Sequence, residues 1–159
     1  MDEVKDFLKI TGQSEDKVLK RLIKSVVDSF ESYTGKVLLT RNMVMELRNF
    51  TSAMLILPVQ PVTKINSIKL INYYGKEALF DSEYYQLNEN TSIVYFKHNP
   101  LSHRVVIDFD AGMGNDSADL AEDVKIALLK HVAFLYLNRG QNREYNLSHY
   151  RKFKIIKID

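Results

Sequence analysis

The sequence predicts an α+β fold: a small helical bundle, two N-terminal helices plus a long C-terminal helix, with an antiparallel β-insert. Three observations carry that expectation. Apolar residues recur every three or four positions up to Tyr33. They recur every second position between Lys36 and Asp110, and every three or four again from Val124 to Leu135. Side chains share a face at i, i+3 and i+4 along a helix and alternate faces along a strand, so the change of period places strands inside a helical frame. At 159 residues the chain is long enough for one domain with its own core.

The first element is a short amphipathic helix in MDEVKDFLKI, with Val4, Phe7, Leu8 and Ile10 on one face. Thr11 to Gln13 form a turn, and Ser14 is the expected N-cap of the second helix, with Glu15 and Asp16 in the first turn where the helix dipole favours acids. Leu19, Leu22, Ile23, Val26, Phe30 and Tyr33 make its apolar stripe, and Gly35 follows where a left-handed residue closes a helix. The β-insert is expected at about 37–112, with five or six short strands. RNMVMELRNF sets Met43, Met45 and Leu47 against Val44, Glu46 and Arg48. Turns fall at Asn72–Lys76 and Asn88–Thr91, and HRVVIDFDAG is a strand that ends at Gly112. In LILPVQPVTKI, Pro58 and Pro61 interrupt an apolar run. Proline donates no ladder hydrogen bond, so the pair is expected to end one strand and set the crossing into Val62–Ile71. The last helix presents Val124, Ala127, Leu128, His131, Val132 and Leu135, and Arg139–Gly140 closes it.

Composition excludes several classes. With 45% hydrophobic and 26% charged residues the chain has the make-up of a globular protein. It has no cysteine, hence no disulfide and no thiolate metal site. No apolar run approaches 18 residues, so no membrane role is expected, and the charged N-terminus is unlike a secretory signal. Catalytic and cofactor motifs are missing: no phosphate-binding loop, no nucleophile elbow and no zinc-binding H-E-x-x-H. His98 and His103 lie five apart without further ligands close by, and His131 sits on an apolar helix face, where a core histidine with one hydrogen bond is the expected role. Asp108 and Asp110 flank Phe109 and face the same side; paired acids can do acid–base chemistry, but they also suit a solvated strand end. DSADLAED could hold a cation, yet acids at a helix start already complement its dipole. Neither an enzyme nor a cofactor is expected.

The ordered pattern resembles the head–tail connector (adaptor) proteins of tailed phages and gene transfer agents. The opening match runs through Glu15, Asp16, Leu19, Leu22, Ile23, Glu31, Tyr33, Thr34, Gly35 and Lys36. It continues in the Leu-Pro-x-x-Pro-Val segment of Leu57, Pro58, Pro61 and Val62, in Ala111–Gly112, and in Tyr136-x-x-Arg139. It covers about residues 5 to 140. Val26 or Val27 replaces a small residue common in the family, and SADLAED stands where a proline is frequent.

The resemblance implies one connector domain over 1–140, with 141–159 as a basic C-terminal tail. It also implies a structural virion protein at the head–tail interface, present in the host cytoplasm during assembly. Such proteins form a ring of about twelve copies below the portal protein, extend the channel for double-stranded DNA, and dock a tail-side connector or stopper. The tail carries Arg143, Arg151, Lys152, Lys154 and Lys157 against Glu144 and Asp159, interleaved with Tyr145, Tyr150 and Phe153. A solvated tail, a final edge strand in FKIIKID, docking on the portal and contact with nucleic acid are all compatible with that pattern. Tyr145, Tyr150, Arg151, Lys152, Phe153 and Lys154 are the candidate portal contacts. Removal of Asn142 to Asp159 is expected to leave the core nearly as stable. The alternative function is a small sequence-nonspecific nucleic-acid-binding module, which steep salt dependence of DNA binding would mark.

Overall fold

The computed structural model describes residues 1–155 and divides them between two compact units, one of Met1–Leu38 with the segment from Ser117 onward, the other Leu39–Asp116. The first unit is helical. Helix α1 spans Asp2–Leu8, α2 Asp16–Thr34 and α3 Glu122–Leu137, and a 3₁₀ helix covers Leu147–Phe153. The α2 stripe is inward as its spacing requires: Leu19, Val26 and Phe30 are buried, with Leu22 and Ile23 packed beside them. Gly35 closes the helix at φ 76°, a left-handed conformation that costs glycine nothing. Two details at the start differ from expectation. Phe7 is about half exposed, and Val4, Leu8 and Ile10 make the core contact of this two-turn helix. Ser14 is not the cap; Glu15 occupies that position and makes no capping bond.

The second unit is antiparallel throughout. Its strands are β1 (Arg41–Arg48), β2 (Met54–Ile56), β3 (Val62–Ile71), β4 (Glu77–Leu79), β5 (Tyr85–Asn88), β6 (Ile93–Phe96) and β7 (Arg104–Ala111). One sheet has the order β1-β7-β3-β4 and the other β2-β6-β5. Seven strands rather than five or six arise because β2 and β4 have three residues each, too few to show an alternation. Along β7, Val105, Ile107, Phe109 and Ala111 are buried and the residues between them are not, the period-two signature of a half-covered strand. The sheets meet through aromatic rings: Phe80, after β4, lies 6.0 Å edge-on from Phe96 of β6. Pro58 follows β2 and Pro61 immediately precedes β3, so the prolines occupy the crossing from one sheet to the other. The Gln60–Pro61 peptide is cis.

Candidate interaction surface

The residues from Gln141 to Ile155 do not stand off as a tail; they complete the helical core. Tyr150 is fully buried and Phe153 nearly so. The Tyr150 ring meets Phe30 of α2 edge-on at 4.9 Å, and Phe153 lies 5.6 Å from the same ring. The phenol of Tyr150 shares a 2.7 Å hydrogen bond with Nδ1 of His131 on α3. Tyr145 stacks on the His131 imidazole, 3.8 Å away and nearly parallel. The segment ends in a backbone bond, Ile155 N–H to the carbonyl of Thr34, which caps one orphan acceptor of α2 at 3.0 Å. This corrects the expectation of a weakly held tail. Its anchors are two aromatics three apart on a 3₁₀ helix, where i and i+3 eclipse and share one face. The final residues of FKIIKID, from Ile156, lie outside the described residues.

The candidate contact residues therefore split by exposure. Arg151, Lys152 and Lys154 are exposed, while Tyr150 and Phe153 are buried and Tyr145 is half-buried. Lys152 Nζ donates to Asp123 Oδ2 at 2.9 Å, which holds that carboxyl below its usual range; both groups are more than half exposed, so the pair adds little stability. Lys154 Nζ sits 5.2 Å above the Tyr33 ring.

His131 is a buried polar residue of this core, only 3% exposed. Burial pushes its imidazole from 6.5 down to about 4, and burial also pushes the Tyr150 phenol up. The neutral imidazole is the form built into the fold. Its stabilisation is complete above about pH 6.5, where the unfolded chain is also neutral, and drains as pH falls toward 4, by about 3 kcal/mol in total. Thermal melting at pH 7 and pH 4 should show this loss in the parent and a smaller one in His131→Gln. Identical pH dependence in the two proteins would show that another group controls acid unfolding.

The other resemblance residues fall into three places. Glu15, Tyr136 and Arg139 come together: Arg139 Nη1 donates to Glu15 Oε2 at 2.8 Å, and its guanidinium lies 4.3 Å above the Tyr136 ring. Asp16 pairs with Lys5 Nζ at 2.5 Å, tying α2 to α1. In the β unit, Leu57 is buried and Pro58 exposed, whereas Gly112 is a close-approach position: a Cβ there would lie 2.3 Å from Thr40 Cα.

The paired acids and the two loop histidines are each engaged by neighbouring side chains. Asp108 Oδ1 accepts from the side-chain amides of Asn42 and Asn66 at 2.5 and 3.1 Å, and Asp110 Oδ1 from the same amides at 3.2 and 2.8 Å. Those donors hold Asp108 below the usual carboxylate range, which makes it a poor base near neutral pH. His98 and His103 each face a different tyrosine, Tyr84 and Tyr73. Among the described residues no three histidine, aspartate or glutamate side chains gather as a metal site, and no helix is long and apolar enough to cross a membrane.

The family model described as "Phage gp6-like head-tail connector protein" matches residues 1–107, more than half of the chain, and the chain belongs to that family. Its fold is that of proteins in gene transfer agent (GTA) particles. A chain in the "Neck of empty GTA particle computed with C6 symmetry" has a TM-score of 0.87 at 22% identity, over 99% of this chain and 89% of its own. A chain in the "Virion of native gene transfer agent (GTA) particle" scores 0.83 at 22% identity over the same shares. One from the "Neck of native GTA particle computed with C12 symmetry" scores 0.76 at 20% identity, over 89% of this chain and 84% of its own. No curated protein matches the sequence.

Proposed function

We propose that this chain is the ring-forming connector between the portal of a DNA-filled head and the tail. About twelve copies close a heterologous, head-to-tail ring. The ring continues the channel through which double-stranded DNA passes without sequence recognition, and its far side receives the tail-side connector or stopper protein. The observation that carries this reading is the near-complete overlap, 99% of the chain, with a protein of a particle neck computed with sixfold symmetry, in a chain that belongs to the head–tail connector family. The role is mechanical and involves no covalent chemistry. Portal contact falls to the exposed cations Arg151, in the 3₁₀ helix, and Lys154, just after it, with Tyr150 and Phe153 beneath as the anchors that hold them in place.

Electron microscopy of the chain mixed with its cognate portal tests the proposal. The expected result is a ring of density stacked on the portal, sharing its axis. Portal rings that stay bare at saturating concentrations of the chain would overturn it.

A further inference from the structure

One face of α2 is exposed and carries only cations over two turns. Lys17, Lys20, Arg21 and Lys24 are spaced i, i+3, i+4 and i+7, all are exposed, and helical geometry sets them opposite Leu19, Val26 and Phe30. The neighbouring carboxylates are engaged elsewhere: Glu15 with Arg139 and Asp16 with Lys5. Asp28 lies one turn past Lys24 on the same face and forms no ion pair with it among the described residues, and Glu31 Oε1 accepts from the Leu38 N–H. None of the four cations forms an ion pair among the described residues.

This arrangement works against the helix that carries it. Like charges at i, i+3 and i+4 repel, and Lys17 occupies the first turn, where the dipole disfavours a cation. A sequence selected only for the stability of α2 would not gather its cations there. A protein partner is a poor fit, since protein interfaces are depleted in lysine and centred on aromatic or apolar anchors, and this stripe has three lysines and no aromatic. A regular polyanion fits. From Lys17 to Lys24 the helix rises about 10 Å, the length over which one strand of a duplex sets about three phosphates.

We infer that the basic face of α2 is a contact for the phosphate backbone of duplex DNA. The contact is sequence-blind, because long flexible cations on phosphates carry no base information. It is weak in a single copy and strengthened where several copies face one duplex. The inference deepens the connector reading by naming the face that meets the DNA.

The test is binding of the full chain to a mixed-sequence duplex, by fluorescence anisotropy across a salt series, with the quadruple variant K17Q/K20Q/R21Q/K24Q and a K76Q/K97Q control at two exposed cations outside the helix. Three to four phosphate contacts give a slope of log K on log salt of about −3 to −4, or roughly forty- to a hundredfold weaker binding at 200 mM than at 50 mM. The quadruple variant should lose most of that slope and the control should keep it. The quadruple variant should also melt at or above the parent temperature, since glutamine is a good helix former and the repulsion is gone. Binding that persists in the quadruple variant, or that disappears in the control, would overturn the inference. So would a parent with no salt-dependent binding at 50 mM. Because ring formation on portal is scored separately, a parent that docks but ignores DNA overturns only this inference. A quadruple variant that binds DNA normally yet fails to dock would make the face a protein contact instead.

Discussion

A chain ended after Gln141 is expected to unfold its helical unit rather than lose an appendage. The cut removes Tyr145, Tyr150 and Phe153, so Phe30 loses both of its ring neighbours and His131 loses its stacking partner and its hydrogen bond. Truncating one large buried aromatic costs about 3–5 kcal/mol. Leaving a buried polar group without a partner costs about 1–3 kcal/mol more. The losses share neighbours and will not add fully, but even one aromatic with the orphaned imidazole rivals the 5–15 kcal/mol that hold a typical domain. The measurement is helical circular dichroism on heating, beside a control ended after Ile155 that keeps every one of these contacts. A Gln141-terminated protein that melts within a few degrees of the control would mean that the aromatic anchors contribute little.

The second large effect is expected at Gly112. A Cβ there would come 2.3 Å from Thr40 N and Cα and 2.7 Å from the Leu39 carbonyl carbon, all backbone atoms that cannot rotate aside. The surroundings are fixed as well: Gly112 N–H donates to the Pro61 carbonyl, and Thr40 N–H donates to the Gly114 carbonyl at 2.7 Å. Gly112→Ala must therefore push apart the chain leaving β7 and the chain entering β1, at a cost of about 3 kcal/mol or more. Gly75→Ala is the matched control. Gly75 has φ 81° but open space where a Cβ would go, so it should lose only the roughly 1–2 kcal/mol of a left-handed non-glycine residue. Urea midpoints compare the two directly, and equal losses would remove the steric account of Gly112.

Which parts of this were legible in the sequence follows from the range of the forces involved. The α2 stripe and its Gly35 stop depend on residues three and four apart, so Leu19, Val26 and Phe30 announce themselves. The strand Val62–Ile71 and the turn at Asn72 are local for the same reason. The pairing order β1-β7-β3-β4 is not, because β1 meets β7 across some sixty residues and no local pattern records it. The packing of the C-terminal segment was hidden in the same way: Tyr150 finds its partner Phe30 at a sequence distance of 120. One clue was present. A histidine on an apolar helix face needs a hydrogen-bond partner, and Tyr150 supplies it. The basic face of α2 was also open to reading, in the i, i+3, i+4, i+7 spacing of its cations, but a search for apolar stripes passes over the face opposite them.

The closure at the base of the β unit bears on the order in which the chain can fold. Helices α2 and α3 pack together although the whole of Leu39–Asp116 lies between them. Joining them directly from an unfolded chain means closing a loop of nearly eighty residues, an entropic cost of about 4 kcal/mol before any contact rewards it. The β unit relieves that cost. Its entry and exit are pinned by the Leu39–Gly114 bridge and by two bonds from Thr40 to the Gly114 carbonyl, all inside the unit itself. Once the sheets have formed, the long loop is replaced by a short staple, and α2 and α3 search for each other at high effective concentration. The hydrogen bonds around Gly114 are thus expected to speed assembly of the helical core, as well as to stabilise the sheet they close.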